Sequence, residues 1–358
     1  MQASLAVTAS FLLALVLAPT VIADQIVIVA GGNEDRTGIA AVDARLKEPF
    51  GTAFDKAGNF FIIEMASGNR LLKVDAMGIL THVAGKSAGE KAGGSSVNNG
   101  DGGLALEAQF NGPHNLAILP DGNVLIADTW NGHIRKVDLS GGAVTSLSGF
   151  GVPAEKARGS GPYCATLDLT GTKLYIADLR HVHVIDLKSG KASVVAGNGQ
   201  KGVPEDGAVS TEAPLVDPRA VAADRKGNVY ILERGGHALR VVSPDGKIRT
   251  VVNKAGKKGA EGDGGDGLSA TMNGPKHLCI DLEDAVIIAD AENNLIRKYI
   301  PTSGRIVRVA GTGKKGSAGI GGPPEQCELS RPHGVTVHAD GTLYITDTYN
   351  NRILKIVD

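Results

Sequence analysis

A short segment that recurs six times places side chains with useful chemistry at equivalent positions. Each copy contains a proline, and the residue after it carries a phenyl, imidazole, phenol, guanidinium or amine group. The residues that follow the six prolines are Phe50, His114, Tyr163, Arg219, Lys276 and His333. His277 comes one residue further along its copy. Three imidazoles could hold Zn²⁺ with one open position, and cations beside a phenol could bind a charged ligand.

Residues 110–138 indicate which elements would position these groups. Apolar runs occur at 115–119, 124–127, 134–137 and 143–147, and turn or loop residues separate them. This pattern predicts four short antiparallel strands. Four strands in a unit that recurs along the whole chain are typical of a β-propeller blade.

The sixth unit stops after three strands, and the missing strand is found near the start of the chain. Residues 25–31 match the fourth-strand sequences at 193–197 and 307–311. We therefore expect residues 25–31 to pair with 353–357 and to close the ring. The predicted fold is all-β, a six-bladed propeller of four-stranded antiparallel blades that fills residues 24–358 as a single domain.

The units resemble NHL repeats. The resemblance rests on NLAILPDGNVLIADTWNGHIRKVD at 115–138, GVTVHADGTLYITDTYNNRILKIVD at 334–358, and GDGGLALEAQFNGP at 100–113. It implies a six-bladed propeller for residues 25–358, but propellers of this kind include both binding modules and enzymes.

Two enzyme classes are more distantly similar. Peptidylglycine-amidating lyases hold zinc in the channel with His in Pro-His segments; His114 and His333 match, whereas Arg219 departs and His277 is displaced by Lys276. Gluconolactonase-like and paraoxonase-like propellers use Ca²⁺ held by acidic and amide groups, but here the corresponding residues are basic and aromatic. We predict no cofactor. The alternative is a bound metal ion, either Zn with His114, His277 and His333 as ligands, or Ca.

The strand 2–3 loops and the connectors between blades should share one face with the start of each innermost strand. We therefore expect the six post-proline residues, which we call the channel ring, to meet at the channel mouth on that face. Trp130 and Tyr349 occupy equivalent loop positions above it, and Arg180 occupies that position in the third unit. These aromatic groups could anchor a glycan or peptide, or pack against the connectors.

One carboxylate ends the second strand of each unit. The six are Glu64, Asp128, Asp178, Glu233, Asp290 and Asp347. Because an acid recurs in every unit, and Asn131, Asn293 or Asn350 follows three residues later, we expect loop-capping hydrogen bonds rather than catalysis. The connectors at 99–103 and 261–267 mix Asp with Gly but lack EF-hand spacing, so tight turns are expected there rather than a cation or phosphate loop.

The charge balance, the N-terminal segment and the cysteine count indicate which partners and which cell compartment to expect. The chain has 37 basic and 38 acidic residues, so no nucleic-acid partner is expected. Residues 3–23 are uncharged and apolar, which predicts a signal peptide at 1–23, or a membrane anchor if it is not cleaved, and no transmembrane span after its removal. Three cysteines cannot complete a disulfide framework, so we expect buried thiols at Cys164, Cys279 and Cys327.

The sequence thus predicts a secreted or periplasmic module that binds a peptide, protein segment or saccharide through its channel-mouth face, without turnover. The predicted contact residues are His114, Trp130, Tyr163, Arg219, Lys276, His277, His333 and Tyr349. The alternative is a metal-dependent lyase or hydrolase with its site at the channel, in which Tyr163 and Arg219 handle substrate charge.

Overall fold

The computed structural model describes residues 24–32, 38–86, 100–151 and 161–358. The predicted signal peptide lies outside these residues. Within them, the strands form six antiparallel sheets, so the predicted all-β six-bladed propeller is confirmed. None of the described residues belongs to a helix with the length and apolar character needed to cross a membrane.

The first three strands of each blade follow chain order from the channel towards the rim. The innermost strands are Pro49–Phe54, Asn115–Ile118, Cys164–Leu167, Pro218–Ala223, His277–Ile280 and Gly334–Val337. The second strands are Phe60–Glu64, Val124–Asp128, Lys173–Ala177, Val229–Glu233, Val286–Asp290 and Leu343–Asp347. The third strands are Leu71–Val74, His133–Asp138, Val182–Asp186, Ala238–Val242, Leu295–Ile300 and Arg352–Val357.

The outer edges are less uniform than the sequence predicts. The fourth strands are Ile79–Ala84, Ala143–Gly151, Ala192–Ala196, Lys247–Val252 and Arg305–Ala310. Ile39–Ala40 and Ala208–Val209 add a fifth strand to the first and fourth blades. Connector segments therefore cover part of the sheet edge that would otherwise be unpaired.

Closure of the ring follows the prediction. Gln25–Ala30 supplies the fourth strand of the sixth blade, and Gln25 lies opposite Val357 while Ile28 lies opposite Leu354. Each innermost strand contacts the innermost strand of the next blade, around the full circle. The post-proline residues therefore meet around one axis.

The recurring carboxylates have the structural role that was predicted. Asn131, Asn293 and Asn350 each donate an amide hydrogen bond to the acid three residues earlier, at 2.8, 2.8 and 2.7 Å. Five of the six acids also pair with a buried arginine of the third strand or the loop before it. The pairs are Glu64–Arg70, Asp128–Arg135, Glu233–Arg240, Asp290–Arg297 and Asp347–Arg352. Blade 3 is the exception.

The Asp-Gly connectors form turns and also complete these ion pairs. Gly100 and Gly102 have φ of 87° and 80°, a conformation that glycine adopts without strain. Asp101, between them, accepts from the buried Arg135 at 2.7 Å, and Asp263 in the fifth-blade connector accepts from Arg297 at 2.8 Å. The turns expected at these connectors are therefore present.

All three cysteines are free thiols. Cys164 and Cys327 are buried, as expected, and Cys279 is partly exposed. Burial raises the pKa of Cys279, so this thiol stays protonated and unreactive at ordinary pH.

Candidate functional site

Successive members of the channel ring touch one another. The Phe50 ring centroid lies 4.9 Å from His114 and 4.2 Å from His333, so a phenyl group stands between two imidazoles. His114 lies 5.0 Å from Tyr163, edge to face. The Arg219 guanidinium stacks over Tyr163 with its central carbon 3.6 Å from the ring centroid. The side chains predicted to meet at the channel mouth are therefore neighbours.

Lys276 completes the ring and lies among guanidinium groups. Burial, followed by the positive charges of Arg234, Arg219 and Arg331, lowers the pKa of Lys276 to about 7. Glu292 offsets this effect only in part. Within the described residues, the Lys276 amine forms no ion pair. Lys276 therefore carries a partial, uncompensated positive charge at neutral pH.

The two imidazoles of the ring are neutral. Burial, offset in part by a hydrogen bond to the Gly112 carbonyl, lowers the pKa of His114 to about 3. Burial and then the charges of Lys276 and Arg331 hold the pKa of His333 well below its usual value. Protonating either group would add charge to a buried region that is already positive.

A hydrogen bond across the channel closes the site from below. Asn115 Nδ2 lies 3.0 Å from His277 Nε2, although the two residues belong to blades 2 and 5, on opposite sides of a six-membered ring. The side-chain oxygen of Asn115, Oδ1, also accepts a hydrogen bond from the backbone N–H of Ala165 at 2.9 Å. His277 is thus part of the floor beneath the ring, and a direct ligand contact by His277 stays a prediction.

Cations outnumber carboxylates at the channel mouth. Asp217 pairs with Arg219 at 2.7 Å and with Arg234 at 3.5 Å. Glu292 pairs with Arg331. Counted over the described part of the chain, three arginines therefore share two carboxylates, and Lys276 adds a fourth basic group that has no ion pair.

Buried polar atoms that lack a hydrogen bond are concentrated at the same place. Among the described residues they are Asp217 Oδ1, Arg219 Nε, Arg234 Nε, Arg331 Nε, Thr346 Oγ1 and both ring nitrogens of His333. Arg219 Nε approaches Asp217 Oδ1 closely but is not aligned for a hydrogen bond, and the hydrogen bond of this ion pair runs instead from Arg219 Nη2 to Asp217 Oδ2 at 3.4 Å. Such orphaned groups are costly in a folded protein and commonly mark a functional site.

The two loop aromatics flank the ring. The Trp130 ring lies 6.2 Å from His114 and covers Gly112. Tyr349 lies 5.7 Å from His333, is 43% exposed, and accepts a 2.8 Å hydrogen bond from Arg331. Trp130 packs as part of the wall, whereas Tyr349 presents an open face.

The three candidate zinc ligands do not form a metal-binding group in the structure. Phe50 separates His114 from His333, and His277 is bonded to Asn115. In the described residues, the ligand atoms that come within 4.8 Å of one another in a group of three belong to Asp178, His181 and His183 instead.

Two surface cavities of similar volume lie on the opposite face. One of about 570 Å³ and one of about 560 Å³ are lined by the turns that join first and second strands, including Asp281 in one and Asp121 in the other. Neither is lined by a member of the channel ring. Charge and unsatisfied donors, rather than volume, therefore single out the channel mouth.

Sequence reasoning missed Asp217, Arg234 and Arg331. Asp217 and Arg331 precede the prolines that open their blades, and Arg234 follows the carboxylate that ends a second strand. Aligning the residue before each proline, as well as the one after it, would have found two of the three.

Family models and curated relatives agree with this architecture. The teneurin NHL domain model matches residues 103–261, and the NHL repeat model matches residues 329–356. NHL repeat-containing protein 2 of Gallus gallus is 26% identical over 346 residues, covering 85% of this chain and 45% of that protein. Teneurin-1 of Homo sapiens is 25% identical over 280 residues, covering 68% of this chain and 9% of that protein. The chain thus spans less than half the length of these relatives.

Solved structures share the fold at low identity. An auxiliary nutrient binding protein from Bacteroides thetaiotaomicron has a TM-score of 0.65 at 14% identity, covering 93% of this chain and 76% of that one. Virginiamycin B lyase from Staphylococcus aureus has a TM-score of 0.54 at 13% identity, covering 94% and 99%. A chain of a nidogen/laminin complex has a TM-score of 0.51 at 16% identity, covering 81% of this chain and 87% of that one.

Proposed function

We propose that the chain, which matches NHL family models at residues 103–261 and 329–356, is an exported binding module whose channel-mouth face takes up an anionic group. The anion is a carboxylate or phosphate carried by a peptide, protein segment or saccharide, and it is bound without turnover. The observation that carries this proposal is Lys276, an unpaired amine held among Arg219, Arg234 and Arg331.

An anion would resolve the electrostatic imbalance of the site. The repulsion that lowers the pKa of Lys276 is relieved when a negative charge lies beside the amine. The oxygens of the anion could also accept from the unbonded Nε–H groups of Arg234 and Arg331. Each charged hydrogen bond of this kind contributes about 1.5–3 kcal/mol.

Aromatic groups supply the apolar part of the interaction. Tyr163 is fixed beneath the Arg219 guanidinium, and Tyr349 offers an exposed ring held by Arg331. Rings of this kind stack on sugars or on peptide side chains at a low entropic cost. A ligand would therefore place its anionic group at Lys276 and its body against the loops.

Absence of turnover is proposed from the chemistry of the ring. The imidazoles of His114 and His333 have a pKa too low to exchange protons efficiently near neutral pH. The bond between Asn115 and His277 closes the floor, so a ligand would sit in a shallow cup. These features disfavour general acid–base catalysis by the two histidines.

Export is proposed from the apolar, uncharged segment at residues 3–23. A structural neighbour described as an auxiliary nutrient binding protein fits an extracytoplasmic binding role. Secretion would be tested by comparing the mass of the protein recovered outside the cytoplasm with that expected for a chain beginning at Asp24.

The ligand class is tested with an array of peptides and saccharides in matched pairs, with and without a carboxylate or phosphate. We expect binding to the anionic member of a pair only, and loss of that binding in Lys276→Met. The control is Lys136→Met, which removes an exposed lysine paired with Asp121 far from the ring. Equal binding of neutral and anionic members, or binding unchanged in Lys276→Met, would refute the proposal.

A further inference from the structure

Blade 3 lacks the buried arginine that neutralises the second-strand carboxylate in the other blades. In blades 2, 4 and 5 that arginine lies opposite the isoleucine two residues before the acid. The opposed pairs are Arg135 and Ile126, Arg240 and Ile231, and Arg297 and Ile288. In blade 3 the same ladder position, opposite Ile176, is occupied by His183.

A shorter loop brings a second imidazole to the same carboxylate. His183 follows Asp178 by five residues, whereas Arg135 follows Asp128 by seven. His183 Nε2 lies 3.0 Å from Asp178 Oδ2, and His181 Nδ1 lies 3.7 Å from Asp178 Oδ1. The blade therefore replaces one guanidinium with two imidazoles.

The three side chains are spaced as ligands of one ion. One ligand atom from each lies within 4.8 Å of the others, and the two imidazole centroids are 5.4 Å apart. Ligands bound at about 2.0–2.1 Å in a tetrahedron are separated by about 3.3–3.5 Å, which lies within the 4.8 Å limit on the separation of these three ligand atoms. The side chains are 16%, 32% and 21% exposed, so an ion could reach them from solvent.

We propose that Asp178, His181 and His183 bind a divalent transition metal ion, with Zn²⁺ as the best match and one coordination position open. Two imidazoles with one carboxylate favour zinc and its neighbours over Ca²⁺ and Mg²⁺, which take oxygen ligands. The ion replaces the proton between His183 Nε2 and Asp178 Oδ2, and it supplies the positive charge that arginine supplies in the other blades.

The carboxylate is held in place by its backbone. Asp178 Oδ1 accepts from the backbone N–H groups of Arg180 and His181, each at 2.7 Å. An ionised carboxylate with one oxygen already fixed is oriented to offer the other to a metal.

The test is a titration of the purified, chelator-treated protein with Zn²⁺ by calorimetry and with Co²⁺ by visible absorption. We expect one ion per chain and the absorption bands of tetrahedral Co²⁺. Affinity should fall at least about tenfold in His181→Ala and in His183→Ala. His338→Ala is the matched control, because His338 pairs with one carboxylate, Asp340, at 2.9 Å and belongs to no group of three potential ligands among the described residues.

A further variant separates loss of the ligand from loss of the fold. His183→Arg restores the residue type of the other blades, so it should abolish metal binding while the thermal midpoint stays unchanged or rises. The double variant His114→Ala, His333→Ala should keep the metal. No stoichiometric binding, binding that survives His181→Ala and His183→Ala, or binding lost in the double variant would each overturn the proposal.

Discussion

Replacing Lys276 with methionine should make the protein more stable while removing its anion site. Methionine keeps most of the apolar stem of lysine but carries no charge. In the wild-type protein the Lys276 amine is surrounded by Arg219, Arg234 and Arg331 and forms no ion pair with a described residue. A charge at this position lowers the free energy of unfolding. Such a loss of stability is expected where a residue serves binding rather than the structure.

The size of the effect depends on pH in a defined direction. Folding lowers the pKa of Lys276 from 10.5 to about 7, so the unfolded chain holds this proton more tightly than the folded protein does. The cost is absent well above pH 10.5, grows as the pH falls towards 7, and is constant below that. At 1.36 kcal/mol per pKa unit, it amounts to about 3 kcal/mol near pH 8 and about 4–5 kcal/mol near pH 6.

The assay is chemical denaturation of wild type and Lys276→Met at a series of pH values. The free energy of unfolding should be higher in the variant near pH 6, and the difference should shrink towards pH 10. Lys136→Met, at an exposed ion pair, should change stability by no more than about 0.5 kcal/mol at any pH. A variant that is no more stable than wild type near pH 6, or a difference that does not change with pH, would refute the reasoning.

Three further predictions concern the scaffold. Arg297→Ala should lower the free energy of unfolding by about 3–5 kcal/mol, because it leaves Asp290 buried without its partner, and denaturant titration would measure this. Ile26→Asp should open the ring at its closing strand, where Ile26 is fully buried, and limited proteolysis would detect the opening. Gly112→Ala should displace Trp130, because a Cβ would lie 2.4 Å from its ring, and the emission of this single tryptophan would shift.

Local repetition made the fold predictable. Each blade is built from neighbouring strands, so the apolar runs and turns within one unit were sufficient to predict its four strands. The closing strand was found because residues 25–31 repeat a fourth-strand sequence. The extra strands Ile39–Ala40 and Ala208–Val209 were missed, since two-residue segments in connectors carry no periodic signal.

The site was predictable only where one position repeats. Aligning the prolines located the channel ring, but the bond between Asn115 and His277 joins residues 162 apart and has no sequence signal. The role of Arg234 depends on a loop conformation that brings it to Asp217. The substitution of His183 for a buried arginine becomes visible only when strand register is known.

The charge of Lys276 is the most direct test of an anion site at the channel mouth. It is measured by following the ε-carbon resonance of Lys276 against pH by NMR, without and with sulfate, and assigning the signal by its loss in Lys276→Met. The predicted midpoint is about 7 without sulfate and higher with it, since a bound anion stabilises the protonated amine. A midpoint near 10.5 in both conditions, or one that sulfate leaves unchanged, would contradict the account.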